Sequence, residues 1–158
     1  MSLVQVWPYG ATYVFQGTIL NGGVTLGDHT YAIATQAGSE LMLMYGDILN
    51  GDAAGRAGSV DVDDGTNILA KLLGNAQTIG AGARRGFPVS GTVGDNQAPS
   101  PLLGFISGGM RILATVSSVA ISQDTAFAIV ARIRGREPTV TLTGPAGSTA
   151  TTNTNRVF

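Results

Sequence analysis

Residues 38–74, GSELMLMYGDILNGDAAGRAGSVDVDDGTNILAKLLG, constrain the fold more than any other stretch. Asp63-Asp64-Gly65-Thr66 separates the strand-like Ser59-Val60-Asp61-Val62 from Asn67-Ile68-Leu69-Ala70. An Asp-Gly pair accepts the positive φ angles of a type I′ turn, whose twist matches that of paired strands. A hairpin is therefore expected here. Residues 40–49 are almost continuously apolar, which predicts a strand covered on both faces, and 50–55 read as a loop. Along 60–63, Val60 and Val62 point one way and Asp61 and Asp63 the other, the acidic side being read as a solvated face. Residues 67–73 also fit a helix capped by Asn67 and ended by Gly74. Strand is preferred because the hairpin turn comes directly before them.

The same periodicity recurs along the chain. Tyr13, Phe15, Gly17 and Ile19 alternate with Thr12, Gln16 and Thr18. Asn21-Gly22-Gly23 is a turn signal. Short strands are expected at 24–26 and 31–35, around a Gly27-Asp28 turn. Residues 110–120 (MRILATVSSVA) and 126–134 (AFAIVARIR) read as core strands. In the second, Phe127, Ile129, Ala131 and Ile133 share one face and Ala128, Val130, Arg132 and Arg134 the other. Residues 139–143 read as a last strand. Residues 75–107, rich in Gly, Pro, Ala and Ser, read as one long excursion. Residues 144–155 (GPAGSTATTNTN) are polar and low in complexity, lacking the apolar area to order themselves. Short strands with glycine-rich turns predict an all-β chain, an antiparallel sandwich or barrel. A jelly roll is the first choice, because two sheets accommodate long loops at both ends. The expected organisation is an N-terminal arm at 1–10, a sandwich at 11–143 and a flexible C-terminal arm at 144–158.

Composition narrows the functions. Only 12% of the 158 residues are charged, about half the usual share of roughly 25%. Net charge is −1, so no overall field steers the chain to nucleic acid or to a membrane surface. Eight arginines stand against the single Lys71, a mild lean toward ordered hydrogen-bonded contacts. Cysteine is absent, which excludes disulfides, thiolate nucleophiles and cysteine metal sites. No basic segment followed by a long apolar run opens the sequence, so no signal peptide is expected, and no apolar run is long enough for a membrane helix.

Catalytic chemistry is sparse. The single histidine, His29, lies in Gly27-Asp28-His29-Thr30, read as a turn with a structural or surface role. No serine stands in a G-x-S-x-G context. Asp47, Asp52, Asp61, Asp63 and Asp64 cluster in sequence, but Gly65 comes one place too early for a calcium loop beginning at Asp61, and no glutamate follows at the required spacing. Residues 80–86 (GAGARRG) lack both the G-x-G-x-x-G spacing and a P-loop lysine. They read as an arginine loop, with Arg84 and Arg85 touching a partner. Arg132, Arg134 and Arg136 recur on one side of the 126–134 strand, as a solvated or intersubunit strip rather than a phosphate site. Trp7, Tyr9, Tyr13 and Tyr31 are the aromatics available to stack on a sugar, against core and hinge roles. No catalytic residue, cofactor or metal is expected.

Residues 40–73 and 116–136 (VSSVAISQDTAFAIVARIRGR) resemble the small proteins that decorate or cement tailed-phage capsids. The likeness lies in strand order, the Asp-Gly hairpin, the cysteine-free polar composition and the loose termini. It implies a β-sandwich, often trimeric, on the outside of an icosahedral shell, bound to the major capsid protein and needing neither nucleic acid nor membrane. The resemblance itself carries over no functional residue; from the arginine loop, the arginine strip and the two arms, Trp7, Arg84, Arg85, Arg132, Arg134, Arg156 and Phe158 are the expected partner contacts. The alternatives are a tail, baseplate or fibre component, and a carbohydrate-binding jelly-roll module.

Overall fold

The computed structural model describes residues 11–19, 27–87, 105–118, 125–144 and 148–155. They form β1 (Ala11–Ile19), β2 (Gly27–Ala34), β3 (Glu40–Asn50), β4 (Arg56–Asp63), β5 (Ile68–Ile79), β6 (Arg84–Phe87), β7 (Phe105–Ser107), β8 (Arg111–Ser118), β9 (Thr125–Arg134), β10 (Thr139–Thr143) and β11 (Thr149–Asn155). Two antiparallel sheets pack as a sandwich. The first runs β11-β1-β9-β3, with β6 and β7 both along the outer edge of β3; the second runs β10-β2-β8-β4-β5.

Strand pairing is nested: β1 pairs with β9, β2 with β8, β3 with β6 and β7, and β4 with β5. The innermost pair is the expected hairpin, and each pair outside it joins strands further apart in sequence. The β3 edge is shared, Gly46 facing Phe87 and Met42 facing Phe105, so β6 and β7 form one edge interrupted by residues 88–104. Opposite that interruption the register of β3 slips between Leu43 and Tyr45, leaving Met44 as an extra residue.

Alternation fills the space between the sheets. Phe15 from β1, Ile48 from β3 and Phe127 and Ile129 from β9 meet Tyr31 and Ile33 from β2, Val60 and Val62 from β4 and Ile112 from β8, all buried. Each such side chain contributes roughly 1.5–3 kcal/mol when fully buried. The rings of Tyr31 and Phe127 stack across the sandwich with centroids 5.7 Å apart. Gly17 makes room for that ring: a Cβ there would lie 2.7 Å from Tyr31. Burial pushes the Tyr31 phenol well above its ordinary pKa, so it stays neutral.

Several local expectations change. The β4–β5 connection is a four-residue loop, Asp63 facing Ile68. Asp64 organises it: its Oδ1 accepts from Thr66 N (2.8 Å) and Asn67 N (2.7 Å), and its own N–H donates to Asn67 O. Gly65 carries the positive φ, 91°. Asp64 thus holds a wider turn than the two-residue type I′ form. The ambiguous 67–73 segment is strand, and β5 continues to Ile79. With β5, β6 and β7 inside it, the 75–107 excursion shrinks to the turn at 80–83 and residues 88–104, which lie outside the described residues along with 24–26. Gly27 and Asp28 open β2 instead of forming a turn, because they pair in register with Ser118 and Ser117. Residues 139–143 are not the last strand. Part of the 144–158 segment, Thr149–Asn155, pairs with β1 from Thr12 opposite Asn155 to Thr18 opposite Thr149. Backbone hydrogen bonds to β1 supply there what polar side chains lack.

Candidate interaction surface

The acidic cluster resolves into structural pairs. Asp61 and Asp63 do alternate with Val60 and Val62, yet both are buried, because neighbouring strands cover them. Asp63 accepts from Arg111 Nε (2.5 Å) and Nη2 (3.2 Å) on β8, and its Oδ1 also takes the Gly65 N–H. The hydrogen bond to Asp63 raises the Arg111 pKa further. Lys71 Nζ on β5 lies 3.3 Å from Asp61. Buried Asp52 pairs with Arg56 four residues on. The solvated acidic face expected from sequence is thus a set of cross-strand ties. Among the described residues, no three His, Asp or Glu side chains gather to hold a metal ion. His29, expected in a turn, lies on β2 with Tyr31 and Ile33 on the core side, 2% exposed.

Asn50, which sequence reasoning did not single out, ties two loops together. Its buried amide donates to Ala54 O, Ile79 O and Gly80 O, and its Oδ1 accepts from Asp52 N. Its N–H donates to Ala83 O. A fully enclosed amide between two loop-like segments was its only signal, and that requires the fold.

The expected partner residues separate into two groups. Thr12 on β1 faces Arg132 on one side and Asn155 on the other. Ala11 and Asn155 therefore lie at the end of the sandwich that carries Arg132 and Arg134. Both arginines are exposed; Arg134 stands 3.9 Å from Glu40, a loose pair. Arg136 lies past the end of β9, its N–H donating to Ser39 Oγ (2.7 Å), so the strip is two residues on the strand and one in the turn beyond. Trp7, Arg156 and Phe158 lie outside the described residues, as does Tyr9. Arg84 and Arg85 are near the other end, facing Leu49 and Ile48. They belong to a strand, not to a loop, because β3 offers its edge there. Arg84 is exposed and Arg85 half-buried.

Between these ends the outer face of the first sheet holds a shallow groove of about 190 Å³. Register explains it. One row reads Asp47, Ala128, Gln16, Thr151 across β3, β9, β1 and β11; the next reads Leu49, Ala126, Thr18, Thr149, with Arg84 beyond Leu49. The alanines of β9 form a low floor. Gln16, Thr18, Thr149 and Thr151 rise on one side. On the other, Arg84 Nη1 donates to Asp47 Oδ1 at 2.7 Å. Tyr45, pushed outward after the β3 bulge, is 58% exposed in the adjoining row. Tyr13 and Tyr31 take the core role weighed against sugar stacking, and neither faces the groove. Compared with protein-family models, curated proteins and solved structures, the chain matches none.

Proposed function

We propose that this chain is a non-enzymatic structural protein of a tailed-phage virion, a decoration or cement protein on the capsid exterior that bridges copies of the major capsid protein. The observation that carries this reading is that the first residue of β1 and the last residue of β11 lie together. Ala11 and Asn155 lie on neighbouring strands at one end of a rigid sandwich, beside exposed Arg132 and Arg134. Such an end can attach to a shell, with Trp7, Arg156 and Phe158 as the proposed contacts beside it, while the far end stays free. The nested pairing supports a jelly roll, in which β10 and β11 widen the two sheets along one side. The edge strands β10 (TVTLT) and β11 (TATTNTN) carry no charged residue to guard them, which favours cyclic self-association as a homotrimer.

The test is re-addition of purified protein to phage heads stripped of it, followed by cryo-electron microscopy. Trimeric density is expected on the head exterior at symmetry-related positions, with the Ala11/Asn155 end toward the shell. An Arg132→Ser/Arg134→Ser variant with unchanged melting temperature should occupy fewer sites. Density confined to the tail, or full occupancy by the double variant, would sink the reading.

A further inference from the structure

We infer that the groove over Ala126 and Ala128 is a binding site for a neutral carbohydrate. The argument starts from the chemistry of the walls. Gln16 offers an amide donor and acceptor, Thr18, Thr149 and Thr151 offer hydroxyls that serve as either, and the Asp47–Arg84 pair adds a carboxylate and a guanidinium. The two charges cancel, so the site attracts neither cations nor anions strongly. A ligand that presents several adjacent groups, each both donor and acceptor, satisfies this wall best, and sugar hydroxyls do so. Asp47 accepts one hydrogen bond from Arg84 among the described residues, and a carboxylate has room for about four.

Shape agrees with chemistry. Asp47 and Gln16 stand on β3 and β1 with β9 between them, two strand spacings or about 10 Å apart. Only the alanine methyl groups lie between, so a single pyranose ring fits with its apolar face on Ala126 and Ala128 and its hydroxyls toward both walls. The site is shallow and open, which suits a solvated sugar better than an apolar ligand that needs enclosure. Tyr45 extends it. On β3 it lies two residues from Asp47 on the same face, about 7 Å along the strand, with its ring exposed. A second sugar unit linked to the first, following the strands, places its C–H face over that ring. The β-bulge at Met44 is what turns this aromatic outward.

Saturation-transfer NMR on the isolated protein, with methyl glycosides of glucose, galactose, mannose, rhamnose and N-acetylglucosamine, tests the site independently of any attachment to a shell. At least one glycoside should bind, with a Kd on the order of 1 mM for so small a ligand. Asp47→Ala removes a charge-assisted acceptor and Ala128→Leu fills the trough from an outward-facing position, so each should weaken binding about tenfold or more. Gln16→Ala, at an exposed position, serves the same purpose should Ala128→Leu not fold. Tyr45→Ala should weaken a disaccharide of the preferred sugar and leave the monosaccharide unchanged. Absence of transfer to every glycoside would overturn the proposal. So would binding that survives both Asp47→Ala and the groove variant, or preference for sulfated over neutral forms of the same sugar.

Discussion

The two outer faces of the sandwich use the same device, an aspartate tied to a basic residue on the next strand, at opposite degrees of exposure. On the second sheet the Asp63 side chain is 8% exposed beneath Arg111. On the first sheet Asp47 is 29% exposed and its partner Arg84 is 60% exposed. A covered pair that also takes a backbone N–H holds strands in register, because breaking it strands a charge away from water. An exposed pair contributes little to folding and stays available to something arriving from solvent. Depth, more than residue type, divides structural carboxylates from those able to meet a ligand.

The sharpest way to break this comparison is Asp63→Ala. It leaves the Arg111 guanidinium uncompensated and the Gly65 N–H without its acceptor. Because Arg111 is itself about one-third exposed, the loss should be about 2 kcal/mol, below the 3–5 kcal/mol of a fully buried pair. Urea unfolding measures it, and a loss under about 0.5 kcal/mol would put Asp63 in the same class as Asp47.

A double-mutant cycle sharpens the other side. Asp47→Ala and Arg84→Ala should couple by no more than about 1 kcal/mol, and the coupling should fade in 1 M salt, where the Debye length is about 3 Å. The equivalent cycle on Asp63 and Arg111 should keep most of its coupling in the same salt. Equal salt sensitivity in the two cycles would erase the distinction drawn from burial.

The smallest effect concerns Asp64, a carboxylate that is fully exposed yet structurally engaged. The Asn67 N–H, and then the Thr66 N–H, hold its pKa below the ordinary 3.8. A carboxylate depressed in the folded state adds its stabilisation in full above the unfolded value, and that is lost as pH falls through the lower folded one. The amide shifts of Thr66 and Asn67 should therefore titrate below pH 3.8, with the rest of the spectrum still folded. A midpoint at or above 3.8 would show that the turn does not depend on the charge.

Much of this architecture was legible before the structure, and the misses share a cause. β8 and β9 announce themselves because their apolar residues repeat with the period of a strand, and Asp64-Gly65 marks the hairpin between β4 and β5. β3 announces itself as an apolar run, but it is not covered on both faces as that run suggests: Met44 and Tyr45 are exposed, because among the described residues no layer packs on the outer side of the first sheet there. β11 does not announce itself, since Thr149, Thr151 and their neighbours contribute backbone hydrogen bonds to β1 and almost no apolar area. His29 follows Gly27-Asp28, whose chemistry favours a turn; pairing with β8 overrides that local preference. The burial of Asp61 and Asp63 depends on Lys71 and Arg111, one of them 48 residues away. The groove is less legible still. Gln16, Asp47, Ala128 and Thr151 come from four strands, and only register makes them neighbours. Tyr45 is outward because of a one-residue slip that no alternation pattern records.

The nested pairing also sets an order in time. Both neighbours of β1 in its sheet, β9 and β11, lie more than a hundred residues further along the chain. At a synthesis rate of roughly 5–20 residues per second, β1 waits on the order of 5–20 s for β9 to be made. During that interval Tyr13 and Phe15 have no sheet to enter and both backbone edges of β1 are open. The hairpin of β4 and β5 closes within its own neighbourhood and is free to form early, whereas the sheet bearing the groove closes last. Newly made chains at high local concentration are thus most exposed to mispairing through their first strand, and a chaperone or a pause in translation that shields β1 would raise the yield of folded protein more than any stabilisation of the finished core.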